Sequence, residues 1–250
     1  MLIQSKNLFP TLVFFYFYNI IKLNTMKKII IVFVLISCLT SFSQDGKPGL
    51  SITDVDGNIY KTVIIGTQTW MAENLKTSRY NDGNFIPNIK DSIAWSELST
   101  GAWCYHNNNE KNNVKYGKLY NWYAVNPTTN GNKNVCPNGW HVPSAGEWTV
   151  LSEYLGGDLV AGGKLKGVDT TNWDSPNVEA TNTSLFTGLP FGGRAKNGVF
   201  YGYGYIGHWW SSTDENSITA WYRDVTVKYG IFSKDYIFKK NGMSIRCLKD

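Results

Sequence analysis

The sequence predicts an α+β domain of short, mostly antiparallel strands with one or two flanking helices. Gly and Asn are frequent between short apolar runs, which favours many turns and short strands. The best helical pattern lies in the middle of the chain, over residues 144–165. Strand-like segments come before and after it, and this order is typical of α+β folds rather than of alternating βαβ units.

The first 44 residues have the composition of an export leader. Two lysines follow Met26, then an apolar run, Ile29–Leu39, and small polar residues lead up to Gln44. This is the layout of a secretory signal peptide. The run is much shorter than the roughly 20 residues that a membrane-spanning helix needs. We interpret 26–44 as the signal peptide and 1–25 as an extension upstream of the true start. The protein is then expected outside the cell or at the outer-membrane surface.

Two cleavage reactions remain open for this leader. Cys38 ends a lipobox-like segment, LISC, and lipoprotein processing would acylate it and anchor the domain to a membrane. Ordinary signal-peptidase cleavage near Ser43 or Gln44 would instead release the domain. Both reactions place it outside the inner membrane.

The net charge of the whole chain is misleading. The sequence has 24 basic and 19 acidic residues, a formal charge of +5. Four of the lysines lie in residues 1–44, which contain no acids, so 20 basic and 19 acidic residues remain. A nearly neutral domain lacks the basic surface that nucleic-acid binding requires. Residues 45–250 fit a single domain, and no nucleic-acid partner is expected.

Cysteine usage predicts one disulfide without choosing its members. Outside the leader the cysteines are Cys104, Cys136 and Cys247. An oxidising compartment favours one disulfide and one remaining thiol, and spacing alone leaves the pair open. None belongs to a CxxC motif, so we expect no metal site and no cofactor.

Residues 51–75 read as a β-hairpin followed by a return strand. Asp56-Gly57 is a typical hairpin turn, and β-branched residues follow it. The acidic spacing at the turn resembles a calcium loop. However, the twelfth position counted from Asp54 is Ile65, where an EF-hand needs a bidentate acid. We interpret the segment as a turn.

The middle of the chain carries the helices. Residues 91–98 have mixed helical character, and the Asn-rich stretch 106–115 is expected to be a solvated loop. Ser144 and Glu147 have capping-box spacing, and apolar residues then recur at helical spacing up to Leu155. A second, weaker helix is predicted over residues 161–165.

The C-terminal part, from residue 185 onward, is predicted to be β again. Within it, Tyr201, Tyr203 and Tyr205 alternate with glycines and would line one face of a strand. Flat aromatic faces stack on sugars or bind protein partners. These three tyrosines are the candidate ligand-binding residues.

Catalytic signatures are absent from the sequence. His106, His141 and His208 lie in different segments, with no GxSxG or HExxH motif. The glycine-rich stretch 156–164 lacks the spacing of a phosphate loop. His141 is interpreted as a hydrogen-bonded structural residue, and no enzyme activity is expected.

A series of motifs resembles the Fibrobacter succinogenes major paralogous domain family, which is common in secreted proteins of Bacteroidetes. The matching segments cover about residues 51–250 and are Asp54–Lys61 (DVDGNIYK), Gly66–Leu75 (GTQTWMAENL), Tyr116–Val125 (YGKLYNWYAV), Cys136–Trp148 (CPNGWHVPSAGEW), Ala161–Lys166 (AGGKLK), Thr181–Arg194 (TNTSLFTGLPFGGR), Trp209–Thr213 (WWSST) and Gly242–Cys247 (GMSIRC).

The resemblance implies a C-type-lectin-like domain in which the N- and C-terminal strands pair. It also implies a disulfide between Cys136 and Cys247. The calcium-binding motifs of such lectins are absent from this sequence, and the family supplies no catalytic residues.

The leading hypothesis is therefore an exported binding module for an unknown extracellular glycan or surface protein. A structural subunit of a surface appendage or matrix is the alternative. A hydrolase of extracellular polymers is a third hypothesis, and it would require acids and bases that converge in a cleft.

Overall fold

A computed structural model describes residues 44–128, 130–169 and 171–250. The predictions for the start site, the signal peptide and Cys38 fall on residues 1–43, outside the described residues. The described chain consists mostly of antiparallel sheets with a few short helices, which confirms the α+β prediction. None of its helices has the length and apolar character needed to cross a membrane.

The N-terminal part is a series of hairpins. Its strands are β1 (Gly46–Pro48), β2 (Ile52–Thr53), β3 (Ile59–Tyr60), β4 (Thr62–Ile65) and β5 (Gln68–Met71). At the predicted turn, the Asp54 carboxylate accepts hydrogen bonds of 2.9 Å from the N–H groups of Asp56 and Asn58. These bonds fold the chain back so that β2 and β3 pair. The predicted hairpin is confirmed.

Short helices and strands alternate over the next segment. They are α1 (Ser92–Ser96), β6 (Trp103–Cys104), two 3-10 turns (His106–Asn108 and Glu110–Asn112), α2 (Asn113–Tyr116), β7 (Leu119–Asn121) and α3 (Trp122–Val125). The prediction of a solvated loop over 106–115 is confirmed for solvation but wrong for the loop. Residues 107–115 are exposed or partly exposed, whereas the stretch is largely helical and His106 is 3% exposed. Asn109 caps the second turn by accepting from the Lys111 N–H. Asn side chains at helix starts organise the backbone in this way.

Both predicted longer helices are present. After β8 (Trp140–His141), the chain forms α4 (Ala145–Tyr154) and α5 (Asp158–Leu165). The capping box is complete, because Ser144 Oγ accepts from the Glu147 N–H and Glu147 Oε2 accepts from the Ser144 N–H. In α5, a Cβ on Gly162 would lie 2.2 Å from the Ile231 carbonyl oxygen, so only glycine lets the two segments approach.

The C-terminal part is β-rich, as predicted. Its strands are β9 (Gly193–Arg194), β10 (Phe200–Tyr201), β11 (Ile206–Asp214), β12 (Thr219–Thr226), β13 (Ser233–Phe238), β14 (Gly242–Met243) and β15 (Leu248–Lys249). One sheet has the order β1-β4-β5-β15-β8, another β10-β9-β14-β7-β6 and a third β11-β12-β13. The two last strands of the chain, β14 and β15, therefore lie inside sheets that begin elsewhere in the sequence.

Tryptophans join the helices to the sheets. The ring of Trp148, on α4, lies 4.5 Å from Trp70 on β5, 5.7 Å from Phe232 and 6.5 Å from Trp209 on β11. All four side chains are fully buried. Tilted and edge-to-face contacts of this kind add to the free energy gained by burial itself. The aromatic content of the sequence is thus used largely in the core.

A buried arginine connects three distant segments. Arg246 is fully buried, and its Nε donates to Asn74 Oδ1 over 2.9 Å. Its Nη2 donates to the Thr187 carbonyl (2.9 Å), and Nη1 donates to the carbonyls of Phe186 and Met71. Burial lowers the pKa of Arg246 to about 9, so the side chain remains a cation at neutral pH. Each acceptor is a neutral oxygen, and Asn74 Oδ1 also accepts from Trp209 Nε1 over 3.0 Å.

A disulfide joins Cys136 to Cys247, across 111 residues of sequence. The pairing implied by the family resemblance is confirmed. Cys104 is a free, buried thiol, and burial raises its pKa to about 12. A thiol in this state is protonated and shielded from solvent, so it is not a reactive nucleophile.

The first prediction concerns Arg246. Replacing it with methionine removes the Arg246 donors from the carbonyls of Met71, Phe186 and Thr187, while Asn74 Oδ1 keeps its Trp209 Nε1 donor. Each group left unsatisfied costs roughly 1–3 kcal/mol. We expect Arg246→Met to lower the free energy of unfolding by at least about 3 kcal/mol in urea titrations. Arg246→Lys should also destabilise, because an ammonium lacks the planar fork. A loss of less than about 1 kcal/mol in both variants would contradict this role.

The second prediction concerns the disulfide. Closing a loop of this length restricts the unfolded chain, so we expect the double variant Cys136→Ser/Cys247→Ser to lose about 4–5 kcal/mol of unfolding free energy. Non-reducing peptide mapping of the native protein should recover the Cys136–Cys247 peptide. Recovery of Cys104 in a disulfide would refute the pairing. Cys104→Ser serves as the control that leaves the cross-link in place.

Candidate functional site

The three candidate tyrosines do not share a strand. Strand β10 ends at Tyr201, and Gly202 and Gly204 then adopt φ values of 72° and 80°. The N–H groups of Tyr205 and Ile206 both donate to the Gly202 carbonyl and close a turn. The expectation that alternation places these rings on one face is therefore wrong. Glycines at every second position favour a left-handed turn as much as a strand.

Each tyrosine ring has its own surroundings. Tyr201 packs edge-on against His208, with ring centroids 5.5 Å apart. Tyr203 is 46% exposed, whereas Tyr205 is half-buried and lies 5.7 Å from the Lys228 ammonium. The three residues are therefore close in sequence, but their rings do not form a common aromatic surface. A role for any single one of them in binding stays a prediction.

An open groove lies beside strands β1 and β4. Its volume is about 500 Å³, within the range of roughly 300–1,000 Å³ that small-molecule sites occupy. The lining combines aliphatic side chains with glycine, serine and threonine, and the rim carries opposite charges. The residues that line the groove include Pro48, Lys61, Val63, Ala72, Glu73 and Leu185.

One wall of this groove is fixed by contacts between β1 and β4. The Gly49 N–H donates to the Thr62 carbonyl (2.9 Å), and Thr62 Oγ1 donates to the Leu50 carbonyl (2.7 Å). A Cβ on Gly49 would lie 2.3 Å from Thr62 Oγ1, so the close approach needs glycine. These contacts therefore hold this wall of the open groove rigid.

The opposite wall is a strained loop. Asn182, Leu185 and Thr187 have φ values of 50°, 57° and 53°, a region that side chains with a Cβ rarely adopt. The Asn182 side chain holds the loop by accepting from the Thr187 N–H (2.9 Å) and donating to Thr187 Oγ1 (3.1 Å). Arg246 holds the carbonyls of Phe186 and Thr187 from below. Strain that is fixed from several sides is common at ligand sites.

The charges on the rim are Lys61 and Glu73. Partial burial would raise the pKa of Glu73, but hydrogen bonds from the Lys61 N–H (3.0 Å) and the Lys76 ammonium (2.7 Å) outweigh it. The pKa of Glu73 therefore lies below its usual value, and the carboxylate is ionised at neutral pH. Lys61 is exposed, and its ammonium has no carboxylate partner in the part of the chain that the structure describes.

The histidines are separate from the groove and from one another. His141 bonds Asp250 through Nδ1 (2.6 Å) and Glu147 through Nε2 (2.9 Å). Burial opposes its protonation, but the two carboxylates raise the pKa of His141 overall. It joins the end of the chain to the start of α4, which agrees with a structural role. Within the described ranges, no group of three or more His, Cys, Asp or Glu could hold a metal.

His208 is the most unusual of the titratable groups. It is 4% exposed, and neither ring nitrogen has a hydrogen-bond partner among the described residues. Burial lowers its pKa to about 3. Asp224 lies opposite it on the neighbouring strand, where burial raises the carboxyl pKa to about 6.

These features could not be read from the sequence. The groove is lined by segments about 120 residues apart, near residues 61–73 and 185–187. Its residue types are unremarkable, and no motif marks them as a site. The sequence marks the groove in one way only. Two of the segments that resemble the family, GTQTWMAENL and TNTSLFTGLPFGGR, meet there.

Comparison with known proteins identifies one family. The model of the Fibrobacter succinogenes major domain (Fib_succ_major) matches residues 63–249. The match includes Val63, Glu73 and the strained loop, whereas the β1 wall of the groove precedes it. No curated protein and no solved structure shows significant similarity to the chain.

The third prediction is a pH dependence that originates at His208. The unfolded chain takes up this proton near pH 6.5 and the folded chain only near pH 3, so the folded state loses stability as pH falls through this window. We therefore compare the free energy of unfolding of His208→Leu with that of the native protein. The difference should favour the variant by up to about 3 kcal/mol more at pH 4 than at pH 7. Urea unfolding at the two pH values measures this difference.

The neighbouring carboxyl provides the control. Asp224 keeps its proton up to about pH 6 in the folded state, so it adds stability at low pH that is lost as pH rises. Asp224→Asn should accordingly change the pH dependence in the opposite direction. An equal effect of His208→Leu at pH 4 and pH 7 would show that the ring does not titrate as its burial implies.

Proposed function

The chain belongs to the Fibrobacter succinogenes major domain family, and we propose that it acts as an exported binding module. Its ligand would be an extended segment of another surface protein, held in the groove between the β1 wall and the 182–187 loop. The support for export comes from the leader at 26–44. Both processing routes, at Cys38 or near Gln44, would place the domain outside the inner membrane.

One observation carries the choice of ligand, namely the chemistry of the groove. Its aliphatic surface is formed by Pro48, Ala72 and Leu185, with the buried Val63 beneath them, and suits aliphatic side chains. Lys61 and Glu73 offer opposite charges at the rim, which suit the charged side chains and backbone dipoles of a polypeptide. None of the described residues that line the groove is aromatic, so it offers no ring for a sugar to stack on.

The same groove supports binding rather than catalysis. Glu73 is the one carboxylate among its described lining residues, and glycoside hydrolysis ordinarily uses a pair. Its pKa is lowered and it is bonded to Lys76, so it is poorly suited to act as a general acid. No described lining residue is a histidine or cysteine. We therefore propose that the ligand is held without reaction.

We further propose that the domain is C-type-lectin-like. This class of fold pairs N- and C-terminal strands, and here β15 lies between β5 and β8. The Cys136–Cys247 disulfide lies next to that strand, and the two longer helices pack beside the sheets. These features support the assignment, and the long irregular segment between α5 and β9 fits the loop region of such domains.

The fourth prediction tests the groove as a peptide site. Ala72→Trp would fill the groove, and Lys61→Glu would reverse the free charge at its rim. We expect both to reduce the binding of peptides that the native protein selects from a displayed random-peptide library, by about tenfold or more, the equivalent of roughly 1.4 kcal/mol. Ile64→Trp is the matched control, because Ile64 lies on β4 beside the groove, is 41% exposed and does not line the groove.

Thermal unfolding of each variant verifies that it is folded. Selected peptides that bind Ala72→Trp and Lys61→Glu as well as the native protein would refute the groove as their site. Failure of the native protein to enrich any peptide over an unrelated control protein would refute the peptide proposal itself.

A further inference from the structure

We propose that the exposed end of one face of strands β12 and β13 is a second binding site, which takes an acidic polysaccharide. The site is an exposed row of three aromatic rings flanked by two lysines, called here the aromatic strip. Its members are Trp221, Tyr236, Phe238, Lys234 and Lys196. It is separate from the groove and does not depend on the function proposed for that groove.

The strand register places the rings on one face. Trp221 on β12 lies directly opposite Tyr236 on β13, and Thr219 lies opposite Phe238. Side chains two residues apart on a strand project to the same side, so the three rings share a face. Arg223, farther along the same face, is covered by Asp158 of α5 and Thr149 of α4. The helices thus cover one end of the face and leave the aromatic end open.

The rings are exposed to a degree that core packing does not explain. Tyr236 is 50% exposed and Phe238 is 38% exposed, and Trp221 is half-buried. The rings of Trp221 and Tyr236 meet edge to face, with centroids 5.5 Å apart and planes at 83°. This contact holds both rings in place before any ligand arrives. Fixed aromatic side chains lose little conformational entropy on binding.

Two ammonium groups lie against the rings. The Lys234 ammonium is 4.6 Å from the centre of the Trp221 ring, and the Lys196 ammonium is 3.5 Å from that of Phe238. In the part of the chain that the structure describes, neither lysine forms an ion pair with a carboxylate. Asp235 projects to the opposite face, since its cross-strand partner is Tyr222. The strip therefore carries uncompensated positive charge at both ends.

An acidic sugar chain uses all of these groups at once. The apolar face of a sugar ring stacks on an aromatic ring, and a carboxylate or sulfate pairs with an ammonium. Lys234 and Phe238 are four residues apart on one strand, a length of about 13 Å. A site of that length, with a cation at each end, requires an oligosaccharide rather than a single sugar. A neutral glycan would leave both lysines unused.

The geometry favours a sugar chain over a peptide. A peptide that added to the free edge of β13 would lie in the plane of the sheet and bond its backbone. Lys234 and the rings instead project from the face of the sheet, and Lys196 contacts Phe238 from the turn that follows β9, so the ligand must lie across that face. Stacking on rings with charge recognition along a chain is the pattern by which proteins hold charged polymers.

The fifth prediction tests the strip with defined polymers. Polygalacturonate and dextran sulfate are the acidic probes, dextran is the neutral one, and binding is measured by affinity electrophoresis of the purified protein. We expect retardation by at least one acidic polymer and none by dextran, and weaker retardation as salt is raised. The variant Lys196→Gln/Lys234→Gln, and separately Trp221→Ala and Tyr236→Ala, should each bind about tenfold more weakly.

The controls separate this site from charge alone and from the groove. Lys111→Gln removes an exposed lysine elsewhere and should bind like the native protein, as should Ala72→Trp. No retardation by either acidic polymer, or native-like binding by the double lysine variant, would overturn the proposal. Equal binding of polyglutamate, unaffected by Trp221→Ala, would also overturn it, because the rings would then have no part in recognition.

Discussion

The fold depends on one buried cation. Arg246 donates hydrogen bonds to oxygens at the end of β5, on Asn74 and in the 186–187 segment. Residues 71–74 and 186–187 are far apart in the sequence. Removing its charge from water is costly, and the cost is offset only while every donor keeps its acceptor. The strained loop beside the groove is one of these acceptors. The shape of the candidate site is therefore coupled to the interior of the protein rather than to its surface.

Other buried cations do the same for loops elsewhere. Arg194 donates to the carbonyls of Ile89, Lys90 and Gly198, and the Lys166 ammonium donates to three more carbonyls. A chain with short helices and strands leaves many backbone oxygens without a regular partner, and burial without one is unfavourable. Arg and Lys carry several donors each and no acceptor. They suit an irregular interior in which acceptors are in excess.

Local signals predicted local structure well. The capping box at Ser144 and the turn at Asp54–Asn58 are determined by side chains a few residues apart, so the sequence displays them directly. The prediction of a strand for the tyrosine segment was wrong because alternating glycines fit both a strand and a turn. Contacts with neighbouring segments stabilise the turn. The groove depends on contacts between segments about 120 residues apart, and the aromatic strip depends on the register between the strands β12 and β13. Neither these contacts nor the register can be predicted from composition and residue spacing.

The order of the strands bears on how the chain reaches this structure. Strand β15 lies between β5 and β8, and it pairs Leu248 with Trp70, which was synthesised about 180 residues earlier. The central sheet cannot close until residue 248 has left the ribosome, and contacts of such long range slow folding. Until β15 is in place, β5 and β8 have no strand between them and this sheet stays incomplete.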